Sequence, residues 1–455
     1  MDLAIIILAA GQGIRMRSDL PKVMHPLAGR PMVRHVLDAA RALEPANLAV
    51  VVGYGADLVR QALGDEIVYV IQAEQLGTGH AVQQARDAAA GQAGIVLVLY
   101  GDTPLIRPET LRQMVDYHRT AGAAATLLTF RPPDPSGYGR IVRDGETGQV
   151  LAVVEDKYTT PEQRTIGEVN SGTLCFDDGW LWPNLANLER RPGGEIYLTD
   201  LVALACQQRE KVAALLVPDP LEVIGLDNRP KLAAAEAELR RRINERWMLA
   251  GVTLVHPETT YVDADVELGA DTVVWPNTLL QGRTRIGRGC TVGPGSVIRD
   301  STIGDGCRVT LSVVEQAIME DGSEVGPFGH LRKGAHLGQG AHMGNFGEIK
   351  NSSLGAGAKM GHFSYLGDAT VGAGANIGAG TITCNYDGQH KYRTVIGEGA
   401  FIGSDTMLVA PVEVGAGAKT GAGAVVTHDV PPGSVVVGVP ARLKPTPDTE
   451  GSEVE

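Results

Sequence analysis

Leu331-Arg332-Lys333-Gly334-Ala335-His336-Leu337-Gly338-Gln339-Gly340-Ala341-His342 reads as two six-residue units, each opened by Leu and carrying Ala at its fifth place. The same beat extends in both directions. Val262, Leu268, Val274, Leu280, Ile286, Val292 and Ile298 keep it upstream; Val325, Met343, Ile349, Leu354, Met360, Leu366, Val371 and Ile377 keep it nearby. Ile396, Ile402, Leu408, Val414, Thr420 and Val426 continue it downstream. Neither a helical period of 3.6 nor a strand period of 2 gives this spacing. It is the signature of a solenoid in which each hexad forms one short side of a coil. Gly-rich linkers do not hold an aliphatic register over such a distance. Three hexads per coil make a triangular prism in which residues about eighteen apart stack.

The bulk numbers agree with a solenoid attached to something larger. A chain of 455 residues has room for two or three domains. Its 58 Gly and scarce aromatics suit coils too narrow for large rings. A net charge of −13 argues against nucleic acid or an anionic membrane as the main partner. Cys175, Cys206, Cys290, Cys307 and Cys384 are scattered and form no CxxC pair, which reads as reduced thiols in a cytoplasmic protein. The N-terminus carries no basic leader and no apolar run long enough to insert in a membrane.

Before the solenoid, apolar runs at Leu3–Leu8, Leu48–Val52, Ile67–Ile71 and Ile95–Tyr100 alternate with helix-like stretches at Met32–Leu43, Gly79–Ala90 and Pro108–Ala121. That alternation predicts an α/β sheet whose ligands gather at the carboxyl ends of its strands. The expected borders are an α/β domain over 1–228, a charged linker helix over 229–250, the solenoid over 251–443 and a disordered acidic tail over 444–455.

Gly11-Gln12-Gly13 follows the first strand, but Met16 stands where a dinucleotide fingerprint needs its third Gly, and no P-loop Gly-Lys-Ser/Thr follows. Arg15, Arg17 and Lys22 come next instead. Backbone N–H groups beside Gly, with Arg and Lys nearby, make a phosphate site, although the loop alone suits a plain turn equally well. Asp102, in Tyr100-Gly101-Asp102-Thr103-Pro104, ends a buried strand where a carboxylate could hold Mg²⁺ against phosphates. Asp227, in Gly225-Leu226-Asp227-Asn228-Arg229, is a candidate second ligand. Either Asp alone is more often a turn former or helix cap than a metal ligand.

Leu8-Ala9-Ala10-Gly11-Gln12-Gly13-Ile14-Arg15-Met16 with Leu20-Pro21-Lys22 resembles the signature of the sugar-1-phosphate nucleotidylyltransferases. Gln72-Ala73-Glu74-Gln75-Leu76-Gly77-Thr78-Gly79 is similar to the uridine-binding segment of the bacterial N-acetylglucosamine-1-phosphate uridyltransferases. The resemblance implies that Leu8, Ala9, Ala10, Gly11, Gln72, Gly77 and Thr78 hold the nucleotide, with Tyr100, Gly101 and Asp102 beside it. It implies sugar contacts at Gly139, Glu155 and Asn170, catalytic roles for Arg15 and Lys22, and Mg²⁺ on Asp102 and Asp227. The family usually has Asn where this chain has Asp227, which adds a negative charge at the metal site.

In the solenoid, Arg332 and Lys350 occupy the same place in hexads one coil apart, and stacked cations repel unless an anion lies beside them. Two solvated surface charges remain an equal reading of that pair. His330, His336 and His342 fall on three different sides of the prism, which discourages a shared zinc site. The repeat is expected to break in its second half at Thr381–Val395, where a binding loop could be carried. Gly378-Ala379-Gly380-Thr381-Ile382-Thr383-Cys384-Asn385-Tyr386-Asp387-Gly388 resembles the acetyltransferase half of the same bifunctional bacterial family. That resemblance implies a left-handed parallel β-helix, assembly as a homotrimer, and His362 as general base toward the glucosamine amine. It implies glucosamine-1-phosphate contacts at Arg332, Lys350, Tyr365 and Asn376, and acetyl-CoA contacts at Ala379, Asn385, Tyr386, Ser404 and Ala422. The family's Arg before Val-Pro is absent here, where the chain reads Gly438-Val439-Pro440 with Arg442 after it. The implied fold is a Rossmann-like α/β nucleotidyltransferase domain joined by a helix to an all-β left-handed β-helix. The implied activity is acetylation of glucosamine-1-phosphate, then transfer of a uridyl group from UTP to N-acetylglucosamine-1-phosphate. The alternative reading keeps the nucleotidyltransferase and makes the β-helix a regulatory or oligomerising module.

Overall fold

Leu3–Ala9 is buried along its whole length because Asn47–Val52 and Ile95–Tyr100 flank it, both parallel to it. In the computed structural model, which describes residues 2–444, this strand is central to a sheet of nine. The order across the sheet is Val212–Leu216, Ala125–Phe130, Val169–Asp177, Ile95–Tyr100, Leu3–Ala9, Asn47–Val52, Val68–Ile71. Val169–Asp177 alone on this path runs antiparallel to both neighbours. Alternate residues of Leu3–Ala9 feed two cores: Ile5 and Ile7 pack with Leu37 and Met114, and Ile6 packs with Val82 and Trp182. This is the two-faced burial that a continuous apolar run predicts. The expected helix over Gly79–Ala90 is two pieces, Thr78–Gln84 and Arg86–Ala89, interrupted at Ala85.

The chain divides into two compact units, Met1–Leu239 and Arg240–Glu455, so the division falls inside the helix Arg229–Leu249. Leu232 and Leu239 of that helix pack on Met16, Met32 and Leu226 of the first unit. The expected acidic tail lies, after Lys444, outside the described residues.

The second unit is a prism of three sheets with 12, 10 and 9 strands, parallel throughout except that Arg442–Leu443 closes the first antiparallel to Val435–Val437. Strand 330–331 pairs with 347–350, 336–337 with 353–354 and 342–343 with 359–360, one pair in each sheet. His330, His336 and His342 therefore do fall on three sides. Each inward residue is shut off from solvent: Leu331, Leu337, Met343, Ile349 and Leu354 are all 0% exposed. The small residue at the fifth place is buried too and caps the corner. Thr272 Oγ1 donates to Gly287 O at 2.8 Å and Ser312 Oγ to Thr310 O at 2.6 Å.

The six-residue rule is less strict than the sequence reading had it. Ile303, Val309, Val314 and Met319 also point inward and fill the gap left between Ile298 and Val325. Their sides mix five and six residues, which hides them from a hexad count. Five-residue sides recur at Ile349–Leu354 and Leu366–Val371, so the second half has more than one irregularity. Each five-residue side turns on a left-handed residue two places after its inward one: Asp300, Leu311, Gln316, Asn351 and Asp368 have φ between 45° and 51°. In six-residue sides the left-handed residue comes one place later, as at Gly334, Gly340, Phe346 and Asp405. The insertion is also shorter than expected. Ile382–Cys384 pairs normally with Met407–Val409, and only 385–393 leaves the ladder before Thr394 rejoins it.

Candidate active sites

Two neighbouring strands of the first unit deliver the key loops side by side. Gly101 N donates to Leu8 O at 2.9 Å, so the loop after Ala9 and the loop after Tyr100 leave the sheet together. A side chain at Gly11 would meet no protein atom within 4 Å, so its openness serves what enters the cleft, not internal packing. Gly13 is different: at φ 77° its Cβ would sit 2.4 Å from Lys22 Cβ, so Gly here lets Lys22 fold back over the loop. Lys22 Nζ then ion-pairs with Asp102 Oδ2.

A cavity of about 270 Å³ is lined by Leu8, Ala9, Ala10, Gly11, Lys22, Gln72, Gly77, Thr78, Tyr100 and Asp102. These positions come from four separate sequence segments, and every one had been singled out above. Gln75 and Glu195 also line it and were not foreseen. Gln72 is buried, and its amide nitrogen lies 3.1 Å from both Gly77 O and His80 Nδ1. Burial pushes the Tyr100 phenol far above its ordinary range, so it stays neutral.

The sugar-side residues cluster as well. Asn170 N donates to Gly139 O at 2.8 Å, and Glu155 lies within 3.6 Å of where a Gly139 Cβ would stand. Burial raises the Glu155 carboxyl, while the hydroxyl of Thr199, donating at 2.8 Å, opposes that rise. Asn170 Oδ1 is buried without a hydrogen-bond partner and is a ready acceptor for a ligand hydroxyl.

A second cavity, about 430 Å³, contains Arg15, Lys22, Asp102, Tyr138, Asp227 and Lys231. Leu226 N donates to Asp102 O at 2.9 Å, which ties the two Asp-bearing loops together. Arg15 Nη1 lies 2.7 Å from Asp227 Oδ2 and Lys231 Nζ lies 3.2 Å from Asp227 Oδ1. Lys231 was not foreseen, because nothing in a helix-start Lys marks it in the sequence.

In the second unit, the register places the candidate residues in columns. Met360 pairs with Ile377, Ile377 with Ile402 and Phe401 with Lys419. The residues two places after Met360, Ile377 and Ile402 are His362, Ala379 and Ser404, and Ala422 follows in the next coil. These four climb one corner of the prism, about 4.8 Å apart per coil. Continuing the register through Thr420 and Val436 brings Gly438 to the top of that column. Asp405 N donates to Ala379 O at 2.7 Å, and Gly423 N to Ser404 O at 2.8 Å, which locks successive coils at this corner. His362 is solvent-exposed.

Arg332 and Lys350 do stack, since Leu331 pairs with Ile349. The anion that such a pair requires is partly supplied from within the chain: Arg332 Nη1 donates to Glu348 Oε1 at 2.7 Å. Tyr365 stands above Glu348 on the same sheet. The Tyr365 hydroxyl and Asn385 Nδ2 crowd over Gly367, and Asn385 Nδ2 donates to Asp368 Oδ2 at 2.5 Å. Asn376 is not with this group. It belongs to the 12-stranded sheet, while Arg332, Lys350 and Tyr365 edge the 10-stranded one.

Fold and sites together define a nucleotidyltransferase coupled to a hexapeptide-repeat transferase. Residues 5–162 match the MobA-like NTP transferase domain, and 265–300 and 393–428 match the bacterial transferase hexapeptide (six repeats). The chain is 46% identical over 427 residues to the Bifunctional protein GlmU of Shouchella clausii, covering 94% of each chain. It is 48% identical over 441 residues to that of Pelobacter propionicus, covering 96% of this chain and 95% of the relative. It is 48% identical over 433 residues to that of Heliobacterium modesticaldum, covering 95% and 94% respectively. The chain belongs to the bifunctional GlmU family. It is a uridyltransferase and an acetyltransferase in one chain, with the second activity on a left-handed parallel β-helix. Its substrates are small molecules. Among the described residues no helix is long and apolar enough to cross a membrane.

This family and its nucleotidyltransferase domain imply a divalent metal. The residues fit one: Asp102 and Asp227 face one cavity with side chains 13% and 15% exposed. Asp227 Oδ1 is buried and accepts no hydrogen bond, although Lys231 lies near it. Carboxylate oxygens are the ligands that hard divalent cations take, with substrate phosphates completing the set.

Proposed function

We propose that the chain makes UDP-N-acetylglucosamine with the site residues named above, the β-helix acetylating glucosamine-1-phosphate and the α/β domain then using UTP. The observation that carries this reading is the convergence of Leu8–Gly11, Lys22, Gln72, Gly77, Thr78 and Tyr100 on one cavity that shares Lys22 and Asp102 with the next. The proposed borders are the α/β domain 1–228, the linker helix 229–250 and the β-helix 251–443.

In uridyl transfer, a phosphate oxygen of N-acetylglucosamine-1-phosphate attacks the α-phosphorus of UTP, the bond to the β-phosphate oxygen breaks, and pyrophosphate leaves. Leu8–Gly11, Gln72, Gly77 and Thr78 hold the nucleotide; Gly139, Glu155 and Asn170 orient the sugar. Arg15 and Lys22 offset negative charge that grows on the leaving pyrophosphate. Asp102 and Asp227 would hold Mg²⁺, which when bound would withdraw charge from the phosphates.

In acetyl transfer, His362 accepts a proton from the amine of glucosamine-1-phosphate as its nitrogen bonds to the thioester carbonyl; the C–S bond then breaks and CoA thiol departs. Arg332, Lys350 and Tyr365 bind the sugar phosphate, with Asn376 contributing from another face. Ala379, Ser404 and Ala422 form the smooth corner along which acetyl-CoA lies, with Asn385 and Tyr386 at the insertion. The division of these residues between faces supports a homotrimer in which neighbouring copies complete each site. Five free cysteines, none in a disulfide, support a cytoplasmic location. The deciding experiment assays both half-reactions on the wild-type chain. Pyrophosphate release from UTP with no CoA release from acetyl-CoA and glucosamine-1-phosphate would refute the bifunctional assignment.

A further inference from the structure

Asp227 carries a cation on each oxygen, and the two cations are held very differently. Arg15, on Oδ2, has a side chain 73% exposed and can leave at small desolvation cost. Lys231, on Oδ1, is 28% exposed and anchored: its Nζ is 3.2 Å from Tyr138 OH and 5.0 Å from the centre of that ring. Its backbone N donates to Asn228 Oδ1 at 3.0 Å, fixing the first turn of the helix Arg229–Leu249, which carries Lys231 and begins just after Asp227. Asp227 lies two residues before the helix and Lys231 in its first turn, and the ion pair closes across that helix start. Among the described residues, Asp102 pairs with Lys22 alone. The carboxylate at 227 is thus matched by a fixed ammonium of its own.

We infer that Lys231 is a positioning residue for Asp227, restraining its carboxylate and setting how tightly the uridyltransferase site takes a divalent cation. The inference rests on the reading of Asp102 and Asp227 as the ligands. A fixed positive charge a few ångströms from an incoming cation weakens its binding in two ways. It repels the ion, and it must give up its own hold on Oδ1 before the ion can use that oxygen. The second contribution exists only while residue 227 is charged. Partial exposure of both side chains screens the effect without abolishing it.

The test is Mn²⁺ binding to the full chain, read as free ion by electron paramagnetic resonance, which is independent of turnover. Lys231→Gln should tighten Mn²⁺ roughly tenfold, and Lys231→Arg should stay within about twofold of wild type because it keeps the charge. In an Asp227→Asn background, Lys231→Gln should tighten binding several-fold less than in the Asp227 chain, a coupling that a merely structural Lys cannot produce. Equal effects of Lys231→Gln in both backgrounds, or no effect in either, overturns the proposal. Asp102→Asn separates the two layers: if it leaves Mn²⁺ affinity unchanged, the ligand reading itself has failed. If it weakens affinity while Lys231→Gln does nothing, only the role of Lys231 has failed.

Discussion

Asp102 and His362 are the two side chains on which the proposed division of labour rests, and they sit in different compact units. Asp102→Ala should lower pyrophosphate release from UTP by at least about a hundredfold and leave acetyl transfer unchanged. His362→Ala should do the reverse, and parallel loss of both activities in either variant would contradict two independent sites. Asp102 was singled out in the sequence by its place at the end of a buried strand together with the resemblance that surrounds it; Lys231 was not, because its contact with Tyr138 spans 93 positions of chain. A third prediction concerns His118, which is 3% exposed with Nδ1 2.8 Å from Thr126 Oγ1. Burial is the main cause holding its pKa down at about 4, well below the ordinary 6.5. A depressed His pKa means that the unfolded chain takes up the proton first as pH falls. The first unit therefore loses stability progressively from about pH 6.5 down to about pH 4, by up to about 3 kcal/mol, and loses nothing from this source above pH 7. Urea melts followed by Trp180 and Trp182 fluorescence at pH 7 and pH 5 should show this slope. His118→Gln should flatten it, and an unchanged slope would remove His118 as its source.

The hexad count located the coils wherever inward residues are six apart and lost them at 302–319, where five-residue sides shift the phase. What replaces the missing residue is a left-handed turn taken by Asp300, Leu311 or Gln316, and no single residue type announces it. Local sequence therefore specifies that a side exists more clearly than how it turns. The insertion shows the same limit from the other direction: Thr383 is polar, so the count ended early, yet it is 1% exposed and takes the inward place in the ladder. Its hydroxyl is satisfied by Tyr365 O and Gly367 O at 3.4 and 3.1 Å, which is how a polar residue is accommodated inside the prism. The corner beside His362 depends on close backbone approach. A Cβ at Gly378 would fall 2.6 Å from Ser404 N and 2.7 Å from Ile402 O, atoms that cannot move without opening the ladder. Gly378→Ala should cost about 1–3 kcal/mol in denaturant unfolding of the second unit. Because Ala379 and Ser404 shift with that corner, it should also raise KM for acetyl-CoA while leaving KM for UTP alone.

In a single copy of the chain, the proposed acetyltransferase residues do not share one face. Arg332 and Lys350 stand one place after the inward residues Leu331 and Ile349, whereas His362 stands four places before Leu366. Along one side that difference amounts to five residues of extended chain, or at most about 16 Å. At full extension that separation exceeds the span of a hexosamine phosphate, which is the ground for proposing that an amine whose phosphate lies on Arg332 and Lys350 meets His362 of a neighbouring copy. In the proposed homotrimer the corner of one prism would meet the edge of the next, and each site would combine His362 of one copy with Arg332 of another. His362→Ala and Arg332→Ala should then each abolish acetyl transfer in homogeneous preparations. Coexpressed in equal amounts and purified as mixed trimers, they should recover about a quarter of the wild-type rate, since each intact site needs one particular pairing of neighbours. Uridyl transfer, which uses residues of the first unit alone, should be normal in every preparation and serves as the measure of enzyme present. A mixture as inactive in acetyl transfer as its components, with the chain verified as trimeric by light scattering, would place His362 and Arg332 in one copy's site after all.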